Sequence, residues 1–175
     1  TTNQLDSLGD RLMYRLAYRN FTDHESLVVT HSTTGSGTAA PRWYELRSPG
    51  NGAFSVYQAS SYAPDPTYRW MGSAAMDRLG NIAIGYSASS STTSPGIRYT
   101  GRTPTDALNT LRQEATILVG TGSQTGTLTR WGDYSSMALD PSDDCTFWYA
   151  TEYLKADGTF NWSTHLASFK LPGCP

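Results

Sequence analysis

The chain has 175 residues, enough for one domain with one hydrophobic core. It carries 11 Tyr, 5 Trp, 5 Phe, 16 Gly and 9 Pro, with 16% charged residues and a formal net charge of −2. Aromatic residues suit pleated, half-buried surfaces and Gly and Pro punctuate short strands, so this composition argues against a helical protein. The weak negative charge offers no footprint for nucleic acid or an anionic membrane, and no apolar run approaches the roughly 20 residues that span a bilayer.

In chain order, Leu12 to Tyr18 alternates like a strand, Asn20 to Glu25 is a polar turn, and Leu27-Val28-Val29-Thr30-His31-Ser32 reads as the next strand. Two further strands, Arg42–Leu46 and Phe54–Gln58, complete a first unit. A second unit opens on Arg69-Trp70, carries Met76 and Asp77, turns at Arg78-Leu79-Gly80-Asn81 and continues into Ile82–Ser87, Ile97–Thr100 and Ala115–Val119. A third opens on Arg130-Trp131, carries Met137 and Asp140, turns at Pro141-Ser142-Asp143-Asp144 and continues into Cys145–Ala150 and Asn161–Phe169. Self-similarity of this kind, with four short antiparallel strands per unit, predicts an all-β chain of three β-propeller-type blades over residues 9–66, 67–126 and 127–175, the last lacking its outer strand. Three blades are fewer than the usual 4–8 of a closed ring. The ring is then either part of a larger propeller or closed between copies, with Gln4–Leu8 supplying a strand to a neighbour.

The stretches LGDRLMYRLAYRNF, RWYELR, YRWMGSAAMDRLGNIAIGYSAS, IRYTGR and RWGDYSSMALDPSDDCTFWYATEY together resemble the C-terminal part of large secreted bacterial proteins with sialidase-like, or BNR-like, propeller repeats. The resemblance implies a propeller fold and secretion more than it implies an activity. Asp157-Gly158-Thr159-Phe160-Asn161-Trp162 is a degraded echo of the Asp-box of true sialidases, a departure that weakens any expectation of sialidase activity.

The two cysteines, Cys145 and Cys174, read either as a disulfide tying down the tail, which points to an oxidising compartment, or as two unrelated buried thiols. On a propeller, the connection entering each innermost strand faces the central mouth. That would gather Arg69, Trp70, Arg130, Trp131, Asp133 and Tyr134, with Asp10 and Arg11, into a ligand site where rings stack on sugars and Arg pairs with carboxylates. The same Arg-Trp pairs can equally be blade-to-blade packing. Asp10, Glu45, Asp133 and Glu152 are candidate acids for a glycosidase, although no spacing selects a pair. Asp140, Asp143 and Asp144 form either a Ca²⁺ site or ordinary turn chemistry; no other metal or cofactor is expected. The readings are therefore an extracellular or cell-surface module that binds a glycan or a surface protein, an assembly subunit completed by a second chain or copy, and a sialidase-like hydrolase.

Overall fold

The computed structural model describes residues 4–50 and 52–175. Among them there is no helix, and hence none long and apolar enough to cross a membrane. Eleven strands form three antiparallel sheets. The first sheet is β1 (Ala17–Asn20), β2 (Glu25–Gly35), β3 (Thr38–Ser48) and β4 (Ser55–Ser61), in that order. The middle sheet is β5 (Tyr68–Met76), β6 (Ile82–Ser90), β7 (Thr93–Arg102) and β8 (Ala115–Leu118), again in order. The last has three strands, β9 (Ser136–Leu139), β10 (Phe147–Tyr153) and β11 (Ser163–Phe169), with β10 in the centre. No sheet closes on itself.

Each sheet is a meander of sequential neighbours, as short turns between antiparallel strands require. Period-2 alternation then decides which residues face which neighbour. From the first sheet, Val28 and Trp43 pack on Ala74, Met76, Ile82, Ile84 and Tyr86 of the middle sheet. From the last sheet, Met137, Phe147 and Tyr149 pack on the other face of the middle sheet, against Ala75, Ala83 and Ile97. The middle sheet is thus covered on both faces, which is why β5 and β6 are buried almost throughout. Gly85 shows how close the second contact is: a Cβ there would lie 2.7 Å from the Tyr149 ring.

A third cluster, Met13, Trp70, Met71, Trp131 and Leu154, closes the stack at one end. A bulge between Trp70 and Ser73, with Met71 at φ 52°, turns both side chains into it. At the opposite end Arg19 donates to Met76 O at 2.9 Å and to both carboxylate oxygens of Asp144 at 2.7 and 2.5 Å, joining all three sheets. Cys145 and Cys174 are a disulfide pair, with Cα atoms 5.8 Å apart, and the tail they hold presses Leu171 onto Gly101 of the middle sheet.

Two expectations are corrected. The alternating run from Leu12 forms no ladder until Ala17, because Met13 is drawn into the end cluster and donates its N–H to Thr30 O at 2.9 Å. Gln4–Leu8 is not a strand free for a neighbour: Asp6 N–H donates to Thr129 O at 2.8 Å, and Leu5 and Leu8 pack on the end cluster of their own chain.

Candidate functional site

A cleft of about 490 Å³ lies against the last sheet, at the end of the stack where Trp131 is buried. Its floor is Ser136, Ala150 and Glu152. One wall is the Arg130–Tyr134 connection into β9; the other is Phe160, Trp162 and Thr164.

Local chemistry fixes each wall. Gln124, itself buried, donates from Nε2 to Leu128 O at 3.0 Å and to Arg130 O at 2.6 Å, which holds the approach to Arg130. Ser123 N–H donates to Asp157 Oδ1 at 2.7 Å, and Thr159 Oγ1 donates to Thr125 O at 2.8 Å. These bonds lace the 121–129 connection to the 155–159 turn and set Phe160 beside Trp162, with ring centroids 5.9 Å apart and planes tilted by 59°. Both rings are more than half exposed, 65% and 52%. Large rings left open to water in this way mark a contact surface more often than a core. Gly132 sits at φ +37°, and a Cβ there would come within 3.1 Å of Glu152 Cγ. The connection therefore takes a glycine where it passes over the acid.

The charges are mixed. Arg130 donates from Nε and Nη2 to the two carboxylate oxygens of Asp133, yet its side chain stays 65% exposed. Asp133 first, then Asp6 and Tyr134, hold the Arg130 guanidinium firmly charged. Arg11 donates to Asp10 at 3.0 and 2.8 Å, and Asp10 and then Tyr134 raise its pKa. Burial pushes the Glu152 carboxyl up, the Gly132 N–H pulls it down, and the Asp133 charge pushes it up again; the net direction is upward. The cleft thus holds one carboxylate tied to a cation and one carboxyl whose pKa burial pushes upward.

The expected mouth splits in two. Arg130, Asp133 and Tyr134 come together at the cleft, whereas Asp10 and Arg11 are not among its lining residues, and Trp131 lies beneath it, buried, with Nε1 donating to Ser87 Oγ at 3.0 Å. Arg69 and Trp70 do not join them. Arg69 is fully buried, donating to both oxygens of Glu114 at 2.8 Å and to both of Asp65 at 3.1 and 3.0 Å. Arg98 also donates to Glu114, at 2.6 Å, and so does the Tyr86 hydroxyl, at 2.8 Å. Trp70 is buried against Trp131, with ring centroids 5.9 Å apart. Both serve packing, because the first sheet covers the middle one and leaves that motif no solvent to face.

Of the candidate acids, Asp133 and Glu152 share the cleft, whereas Glu45 is buried in the first sheet between Ser26, Gln58 and Arg47. Asp140, Asp143 and Asp144 point to separate partners. Asp140 accepts from Ser142 and Trp148, Asp143 accepts from Cys145 N–H, Thr146 N–H and Thr146 Oγ1, and Asp144 pairs with Arg19. That is the turn chemistry of the alternative reading. Asp77 lies 3.3 Å from Cys174 Sγ, but that sulfur is already joined to Cys145. In the sequence, Phe160 and Trp162 belonged to a degraded Asp-box, and Trp162 also to the strand read over Asn161–Phe169. Two aromatic residues two positions apart in a Gly-containing turn were the available signal. No protein-family model, curated protein or solved structure matches the chain.

Proposed function

We propose that this chain is an extracellular glycan-binding module whose three sheets are consecutive blades of a β-propeller. The single observation that carries the binding reading is the cleft beside Arg130–Tyr134, with Phe160 and Trp162 open to water along one wall. A sugar ring offers an apolar face to such side chains and hydroxyls to Asp133, Glu152 and Arg130. The cation of the cleft, Arg130, has its own carboxylate in Asp133, so the site favours a neutral sugar over an acidic one. The disulfide fits the oxidising compartment of a secreted or surface protein. Titration against a panel of neutral and acidic oligosaccharides tests this. Saturable binding that weakens about tenfold in Trp162→Ala, and stays unchanged in Tyr68→Ala, is the expected result. Failure to bind any member of the panel removes the reading.

One observation favours a hydrolase as the second reading. Glu152, its pKa raised by burial, shares the cleft with Asp133, and a glycosidase needs two carboxyl groups at one site. Turnover of aryl glycosides that disappears in Glu152→Gln is the expected mark of this activity.

A further inference from the structure

The two sulfurs of the disulfide sit in different surroundings. Cys145 lies just ahead of β10 and is 1% exposed. Cys174 is only half-buried, between exposed Gly173 and Pro175. The charges against them differ as well. Arg78, an exposed side chain, donates from Nε to Cys145 Sγ at 3.4 Å. Asp77, which is buried, brings Oδ2 to 3.3 Å from Cys174 Sγ. Two further carboxylates nearby have cations of their own. Asp143, which accepts the Cys145 N–H, pairs with Lys170 at 3.2 Å, and Asp144 pairs with Arg19. A guanidinium thus stands on one sulfur and a carboxyl on the other.

Thiol–disulfide exchange is sensitive to both features. The attacking thiolate has to reach one sulfur, and the other sulfur has to leave with the bonding electrons. Exposure governs the first requirement. A neighbouring cation favours the second, because it stabilises a thiolate. Here both point the same way: solvent reaches Cys174, and the cation lies against Cys145. Attack in the reverse sense would carry the thiol into a buried site and leave a negative sulfur facing the Asp77 carboxyl.

We propose that the Cys145–Cys174 bond is a thiol-exchange site of fixed polarity, in which a low-molecular-weight thiol bonds to Cys174 and Cys145 leaves as a thiolate beside Arg78. The incoming thiol gives its proton to solvent. A new S–S bond forms at Cys174 Sγ as the old one breaks, and the electron pair of the old bond stays on Cys145 Sγ. One disulfide replaces another, so the step needs no oxidant or reductant beyond the thiol itself. Its product is a thiol adduct on Cys174 and a free Cys145. The tail then keeps only noncovalent ties, among them Leu171 on Gly101, Asn81 Nδ2 donating to Pro172 O at 3.3 Å, and Lys170 on Asp143. This site is separate from the cleft and does not depend on the ligand assigned there.

The probe is 2-mercaptoethanol, which is small and uncharged, so the field of the protein does not steer it. The oxidised full chain is exposed to it under native conditions, quenched in acid at short times, alkylated with N-ethylmaleimide in denaturant and mapped by peptide mass spectrometry. The expected single adduct carries 2-mercaptoethanol on Cys174 and N-ethylmaleimide on Cys145. The opposite distribution, an even one, or an adduct that forms only after denaturant has unfolded the chain overturns the proposal. Arg78→Gln, at an exposed position, is expected to slow the exchange about fivefold, because the leaving sulfur loses its cation. Lys170→Gln removes a neighbouring charge that does not touch either sulfur and is expected to leave the rate unchanged. Near-ultraviolet circular dichroism checks that both variants fold. A wild-type rate in Arg78→Gln, or equal slowing in the two variants, overturns Cys145 as the leaving sulfur beside Arg78.

Discussion

Arg69 and Arg130 each precede a buried tryptophan, and their surroundings could hardly differ more. Arg69 has no exposed surface and is enclosed by Glu114, Asp65 and the Thr67 carbonyl. Arg130 is 65% exposed and holds one carboxylate, Asp133, three residues on. The dipeptide is the same; the place in the stack differs. Arg69 enters a sheet with neighbours on both faces, and Arg130 enters one with a neighbour on a single face. The same dipeptide is thus enclosed between two sheets in one place and open to water in the other.

The largest effect expected from this difference is on stability. Arg69→Ala leaves Glu114 buried and short of its main partner, so it should lower the free energy of unfolding by about 3–5 kcal/mol in a denaturant titration. Arg130→Ala, whose ion pair is largely solvated, should change it by less than about 1 kcal/mol. Equal losses would erase the distinction.

The two faces of the stack give a second comparison, of intermediate size. Gly85→Ala puts a methyl group into the Tyr149 ring and should cost about 1–3 kcal/mol. Ala150→Val, on the outer face of the last sheet, adds bulk where the cleft has room and should change stability little. A neutral Gly85→Ala would mean that the middle and last sheets are less tightly joined than their geometry states.

The smallest effect expected is in the pH dependence. Burial pushes the Glu114 carboxyl up, but Arg69, Tyr86 and Arg98 outweigh it, and the net pKa lies below the ordinary value. Its contribution to stability is therefore present above the unfolded value and is lost as pH falls through the folded one. Asp106 acts in the same sense: Arg112, chiefly, brings its pKa down to about 2. Glu152 has the opposite sign, since its raised carboxyl stabilises at acid pH and that share is lost as pH rises through the folded value. Glu114→Gln should flatten the acid limb of a melting-temperature profile, and Glu152→Gln should leave that limb in place while raising the neutral side slightly.

Much of this was legible in the sequence wherever it depended on neighbours in the chain. Alternation and turn residues gave an all-β chain, two cysteines without other thiols allowed either a disulfide or two separate thiols, and Asp140-Pro141-Ser142-Asp143 had the residues of a turn. Arg130, Asp133 and Tyr134 fall in one cleft partly because they are close in sequence. What depended on distant partners was not legible. The burial of Arg69 is decided by Glu114, 45 positions later, and nothing in Arg69-Trp70 itself distinguishes it from Arg130-Trp131. Phe160 and Trp162 form a wall only because Ser123, Thr125, Asp157 and Thr159 bind their two connections together.

The clasp between Arg19 and Asp144 has a consequence for how the molecule comes apart. In a repeat array where each unit touches only its neighbours, units can melt one at a time from the ends. Here the first sheet holds the turn of the last directly, across 125 positions, while the Arg78 N–H of the middle sheet donates to Asp144 O at 3.0 Å. Neither terminal sheet can leave without uncovering a charge that the other supplies. The expected outcome is that the three sheets unfold in a single transition rather than in sequence, which calorimetry checks by the match of the calorimetric and van't Hoff enthalpies.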